Sequence, residues 1–218
     1  MILAVTGGKG GVGKSTLAYN VAAALDALVV DADLAMADLP GGRGPDLHDV
    51  LAGRADPSEA VRPGPVDVLP CGRSLAGARA ADVTRLADAL RFPEYGLVVV
   101  DCPAGLRADV GVPLAVADAC VVVASPRPWA LADAVTAREL ARELDCGVAA
   151  AALNPVVEAP PREAVRRALG APTVAVPADP RLGRSVAVES PVSTSAPEST
   201  AARAVDELAD AVRRCRDV

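Results

Sequence analysis

The sequence predicts a single α/β domain, built as a mostly parallel, twisted sheet of about seven strands with helices on both faces. Three observations carry that expectation. Short apolar runs recur along the 218 residues with helical stretches between them, the pattern of a parallel sheet covered on its faces. The first apolar run leads straight into a glycine-rich stretch, Gly7-Gly8-Lys9-Gly10-Gly11-Val12-Gly13-Lys14-Ser15-Thr16, which opens a helix. Half of the residues are apolar, yet Ala and Val supply most of them and four aromatics very little, as suits helices packed closely on a sheet.

Taken in order, strands are expected near 2–6, 27–32, 66–69, 97–101, 119–124, 148–153 and 173–176. Helices are expected near 15–25, 46–51, 82–90, 109–116, 130–144, 162–169 and 197–215. Pro40-Gly41-Gly42, Pro63-Gly64-Pro65 and Ala159-Pro160-Pro161 mark loops. The Ser- and Pro-rich stretch 190–199 reads as a surface connection to the last helix, with 1–218 one domain and 196–217 packed on its body. There is no internal repeat.

A formal charge of −6 argues against a general nucleic-acid binder or a cationic membrane coat. Four aromatics leave no stacking platform for single-stranded bases. The five cysteines, Cys71, Cys102, Cys120, Cys146 and Cys215, form no C-x-x-C pair, and without a secretory signal they read as reduced, buried thiols. Residues 1–6 are too short for a signal core, and no stretch approaches the ~18 uninterrupted apolar residues of a membrane span. A cytoplasmic protein is expected.

Lys9 and Lys14 are the two lysines of the chain, and both lie in the glycine-rich run; the other twenty basic residues are Arg. A compact ammonium fits where a planar guanidinium would crowd the backbone, and phosphate held in a tight loop is such a place. Gly8-x-x-x-x-Gly13-Lys14-Ser15 matches G-x-x-x-x-G-K-[ST] between an expected strand and an expected helix. Glycines let backbone N–H groups approach phosphate oxygens, and the helix opening at Ser15 turns its positive end to the same anion. Lys14 suits the β- and γ-phosphates, and the Ser15 hydroxyl suits Mg²⁺. Asp31 and Asp33 end the second expected strand, and Asp101 ends the fourth, at the edge where open α/β sheets bind ligands. Asp101 is the candidate for holding the metal through its water shell, Asp33 for orienting an attacking water, and Asp31 for supporting them.

The run Lys9–Thr16 resembles the deviant Walker A loop of the MinD/ParA family of dimerising P-loop ATPases. Residues 31–39 are similar to that family's first switch, and Leu47-His48-Asp49-Val50-Leu51-Ala52-Gly53 to the helix after it. Asp101-Cys102-Pro103-Ala104-Gly105 resembles its D-x-P-A-G run, and Pro177-Ala178-Asp179 its late P-x-D, so the likeness covers nearly the whole chain and is strongest to archaeal MinD-like proteins. Asp38 departs from the Asn usual in the family.

The resemblance implies ATP and Mg²⁺ as cofactors. It implies that Gly8, Lys9, Gly10, Gly11, Val12, Gly13, Lys14, Ser15, Thr16, Asn154, Pro177 and Asp179 surround the nucleotide. Ser15 would meet the metal, with Asp101 and Asp33 acting through water, and Lys9, Lys14 and Asp33 would be catalytic. Lys9 would reach the nucleotide of a second copy in an ATP-bound homodimer. From the residues alone, Lys9 also reads as a solvated loop lysine, Asn154 as a turn former before Pro155, and Asp179 as a helix cap.

The implied function is a slow ATP hydrolase, stimulated by dimerisation or by a protein partner, acting as a switch in intracellular positioning. The activator or cargo adaptor is not named by the sequence. A DNA-associated partition ATPase, a metal–sulfur cluster carrier, a non-hydrolysing scaffold and an ATP-dependent ligase or amidotransferase are the alternatives. The tail stripe Val205, Leu208, Val212 and Cys215 lacks Phe and Trp, so it reads as packing on the body, with membrane association weak or partner-dependent. Arg162, Arg166, Arg167, Arg213, Arg214 and Arg216 read as solvated faces, and DNA is not an expected partner. Trp129 reads as core or as a partner-facing anchor, and His48 as a surface residue of a short helix.

Overall fold

The structure, a computed structural model, describes residues 1–92, 94–105, 108–158, 160 and 162–216, without the side chains of residues 108–110, 128 and 129. The expectation for Trp129 therefore lies outside the described side chains, and Ala159 and Pro161 of the expected loop lie outside the described residues.

Among the described residues, seven strands form one sheet: β1 (Ile2–Thr6), β2 (Leu28–Asp31), β3 (Val68–Leu69), β4 (Val98–Asp101), β5 (Ala119–Ala124), β6 (Gly147–Val156) and β7 (Thr173–Pro177). Their order is β3-β2-β4-β1-β5-β6-β7, and every neighbouring pair is parallel. Parallel strands need long crossovers, and helices supply them. These are α1 (Lys14–Leu25), α2 (Leu47–Leu51), α3 (Pro57–Ala60), α4 (Leu75–Ala80), α5 (Leu86–Ala89), α6 (Ala108–Val116), α7 (Pro128–Glu143), α8 (Arg162–Leu169), α9 (Pro180–Arg184), α10 (Val192–Ser195) and α11 (Thr200–Arg216).

Alternate side chains of each strand point to opposite faces, so two cores form. Leu3, Val5, Val29, Val99 and Val121 pack with α1 and α11 on one face. Ala4, Leu28, Val30, Val100 and Val122 pack with α2, α5, α7 and α8 on the other. Strands buried on both faces read as continuous apolar runs, which is why they were legible. Chain order reverses around β1, which sits between β4 and β5, so the loops after β1, β2 and β4 meet at one carboxyl edge.

The last helix buries Ala201, Val205, Leu208 and Val212 at helical spacing and packs on β7 and α1. Burial of Leu208 or Val212 stabilises by about 1.5–3 kcal/mol each. Cys215 is exposed, contrary to the expected stripe and to the reading of all five thiols as buried. The contact ends at Val212, and Arg213 instead donates to the Ala24 carbonyl at 2.6 Å, near the end of α1. No described helix is long and apolar enough to cross a membrane.

Three local expectations need correction. The 190–199 stretch is not a mere surface connection: it forms α10, and Val192 and Ala196 are buried. The Val192 N–H donates to Asn20 Oδ1 at 2.8 Å, while Asn20 Nδ2 donates to Ser185 Oγ at 2.7 Å, so one buried Asn of α1 pins this segment. The helix expected over 82–90 breaks into a 3-10 turn, Val83–Arg85, and α5. Helices α3, α4 and α9 were not anticipated. Each is short, and Ser74 and Asp179 cap α4 and α9 through their side chains.

Candidate functional site

The turn after β1 is shaped by crowding from behind. A Cβ at Gly7 would sit 2.5 Å from the Val123 carbonyl oxygen, and one at Gly8 would run into the Asp133 backbone of α7. Gly13 takes a left-handed φ of 89° as the N-cap of α1, and a Cβ there would strike the Asn154 amide. That amide donates Nδ2 to the Val12 carbonyl at 2.8 Å, bracing the loop from β6. Helix α1 has no side-chain N-cap bond. Its first-turn N–H groups are thus left to an anion or water, beside the Lys14 ammonium.

The acidic residues come from neighbouring strands. Register places Asp31 of β2 opposite Asp101 of β4. Asp31 is fully buried, and its carboxylate accepts the N–H groups of Asp33 at 3.2 Å, Asp38 at 3.0 Å and Leu39 at 3.0 Å. Those bonds fold the loop after β2 back over the strand end. Burial pushes its carboxyl up to about 6 despite them.

Asp101 is 1% exposed, and its Oδ1 has no hydrogen-bond partner. Burial pushes its carboxyl up to about 8, with Asp31 and Asp38 adding to the rise and the Ser15 hydroxyl and Lys14 opposing it. Asp33 is half-buried, and its Oδ1 accepts the N–H groups of Ala35 at 3.2 Å and Met36 at 3.0 Å. Asp38 turns towards the loop, where its Oδ2 accepts the Ser15 hydroxyl at 3.4 Å.

A cavity of about 880 Å³ opens on this edge. Gly11, Gly13, Lys14, Ser15, Thr16 and Asp38 line its floor. Arg62, Arg73, Gly183 and Val186 also line it. Arg62 donates to the Pro40 carbonyl at 2.9 Å and to the Gly41 carbonyl, which fixes the glycine-rich wall after Asp38. His48 is buried, not a surface residue: Nε2 lies 3.0 Å from the Leu34 carbonyl and 3.3 Å from Cys71 Sγ, tying the loop after β2 to the end of β3. The amphipathic register of α2 turns it inward with Leu47 and Leu51.

Of the expected site residues, Gly11, Gly13, Lys14, Ser15 and Thr16 line the cavity together, and Asp101 lies buried beside it, where Ser15 and Lys14 act on its carboxyl. Lys9 and Gly10 stand exposed on the outer side of the loop. Asp33, Asp101, Asn154, Pro177 and Asp179 are not among the residues that line the cavity, and neither are Gly8, Lys9, Gly10 and Val12 of the loop. Asp179 caps α9 through the Arg181 N–H at 2.8 Å and pairs with the Arg181 guanidinium, which holds its carboxyl below the usual range. Sequence reasoning missed Arg62 and Arg73, for which no motif gave a signal, and it missed how far Asp31 organises the loop.

Among the described residues, no three His, Cys, Asp or Glu side chains converge into a metal cage. What the edge offers is the hydroxyls of Ser15 and Thr16, the buried Asp101 carboxylate with an unpartnered oxygen, and Asp38. Such a donor set fits a hard cation that arrives with a polyphosphate and keeps most of its own water.

A parallel sheet whose first strand runs through this loop into a helix, with an acid ending the adjacent strand, defines a P-loop nucleotide-binding protein. More narrowly, the chain belongs to the CobQ/CobB/MinD/ParA nucleotide binding domain family, whose model matches residues 3–192. An uncharacterised ATP-binding protein of Methanocaldococcus jannaschii is 33% identical, over 95% of this chain and 85% of its own length. The cell division ATPase MinD of Pyrococcus furiosus superposes with a TM-score of 0.90 at 27% identity, covering 98% of each chain. The septum site-determining protein MinD of Pyrococcus horikoshii, solved with Mg-ADP, gives 0.90 at 27% identity over 99% of this chain and 96% of its own.

Proposed function

We propose that this protein is a Mg²⁺-dependent ATPase that closes as an ATP-sandwich homodimer and works as a switch in intracellular positioning. One observation carries the reading: the two lysines of the chain flank one phosphate loop, and a buried carboxylate with a spare oxygen stands behind its Ser15. The Mg-ADP carried by the horikoshii protein supports the choice of ligand.

In this reading, Lys14 and the first turn of α1 bind the β- and γ-phosphates. Ser15 and, through water, Asp101 and Asp33 would hold Mg²⁺, which would neutralise charge on those phosphates. Asn154, Pro177 and Asp179 would hold the base. Asp33 leaves its backbone contacts to orient the attacking water. Lys9 enters the partner copy's site and offsets charge that develops there during phosphoryl transfer. A cation supplied in trans is worth about 10³–10⁵ in rate in comparable systems. Hydrolysis is therefore slow for a single copy, and a protein activator or cargo adaptor sets its pace. Four of the five cysteines are buried, which gives no support to a cluster carrier.

Static light scattering of wild type and Lys9→Ala with ATP and Mg²⁺ tests the proposal. Wild type should double its mass, while Lys9→Ala should bind ATP and stay single. An undiminished Lys9→Ala dimer would remove the trans role.

A further inference from the structure

We propose that Asp38 is a metal-side carboxylate of the nucleotide site and makes nucleotide binding more strictly dependent on a divalent cation than an amide would. The inference rests on the nucleotide reading above and adds a residue to it.

Four observations converge on Asp38. Its position is set by the fold, because its N–H donates to the buried Asp31 carboxylate at 3.0 Å, next to the Leu39 N–H on the same oxygen. Its side chain reaches the hydroxyl that follows Lys14, with Oδ2 at 3.4 Å from Ser15 Oγ. It lines the same cavity as Lys14 and Ser15. Independently, Asp101 presents a buried Oδ1 with no protein partner, and Ser15 and Asp38 are among the groups that act on that carboxyl. The hydroxyl that Asp38 accepts thus lies near a second carboxylate from another loop, and one oxygen of that carboxylate lacks a donor. A cation with its water shell would satisfy both.

The consequence has two signs. With a cation present, Asp38 adds attraction to it. Without one, the same charge faces the phosphates in a cavity that Lys14 also lines. A unit charge ~6 Å from another is worth a factor of ~3 at bulk-water screening and ~100 at an effective dielectric of ~20, so about tenfold is the expected size. Asparagine has nearly the same shape and can accept the Ser15 hydroxyl, but it carries neither effect.

Nucleotide-free wild type, Asp38→Asn and Asp38→Glu are titrated with ADP in EDTA and in Mg²⁺, and the ADP complexes are titrated with Mn²⁺ followed by its paramagnetic resonance signal. Asp38→Asn should bind ADP in EDTA about tenfold more tightly than wild type, and Mn²⁺ in the ADP complex about tenfold more weakly. Asp38→Glu, which keeps the charge, should stay with wild type in EDTA. A damaged fold cannot produce tighter ADP binding, so the gain in EDTA is specific to the charge. Unchanged or weaker ADP binding by Asp38→Asn in EDTA, or unchanged Mn²⁺ affinity, would overturn the role of Asp38. Failure of wild type to bind ADP in either condition would instead remove the nucleotide reading beneath it.

Discussion

Replacing Asp101 by Asn should stabilise the protein when nucleotide and metal are both absent. Burial lifts this carboxyl from its ordinary 3.8 to about 8, so the folded chain holds a proton that the unfolded chain has lost. A raised carboxyl of this kind stabilises fully below about pH 4, and that contribution is lost as pH rises towards 8. At ~1.4 kcal/mol per unit the full span is ~6 kcal/mol, and about half of it remains after relaxation and water entry. Asp31, pushed up to about 6, adds a smaller loss in the same direction. Thermal unfolding in EDTA reads this directly. Wild type should melt lower at pH 8 than at pH 5, and Asp101→Asn should melt ~6–12 °C above wild type at pH 8 with a flatter pH profile. The same variant should lose the Mg²⁺ dependence of nucleotide binding. Melting curves for the two proteins that run parallel from pH 5 to 8 would refute the claim that Asp101 is a desolvated acid awaiting a cation.

Three further substitutions probe the frame. Gly13→Ala meets both a left-handed φ and the Asn154 amide, so it should cost ~1–3 kcal/mol in urea unfolding and lower nucleotide affinity with it. His48→Ala removes the bridge between the loop after β2 and Cys71, and should cost about 2 kcal/mol with faster amide exchange at Leu34 to Leu39. Asp33→Ala should bind ATP yet hydrolyse it slowly, giving a long-lived doubled mass in size-exclusion runs; turnover at the wild-type rate would remove Asp33 from the chemistry.

The sheet was legible because its strands are buried on both faces and so read as unbroken apolar runs, such as Val98-Val99-Val100 and Cys120-Val121-Val122-Val123. The phosphate loop was legible because its glycines and lysines have few alternative uses. The short helices were not, because α3, α4 and α9 are set by local caps and tertiary contacts rather than by periodicity. His48 was misjudged because a five-residue helix shows too little of its pattern to reveal which side faces in. The stretch 190–199 was misjudged for a different reason: a single buried amide, Asn20, holds it from a helix 172 residues away in sequence, a separation invisible to any local pattern. Arg62 enters the cavity wall through a chain reversal between Arg62 and Val68; the Pro63-Gly64-Pro65 run marks the loop, but nothing in it marks the Arg beside it.

Turnover per chain, measured against protein concentration in Mg²⁺ and saturating ATP, tests the shared site most directly. If a second copy completes each site, specific activity should climb with concentration and level off where scattering shows the doubled mass. A specific activity that stays constant while the scattering mass remains that of one chain would contradict it.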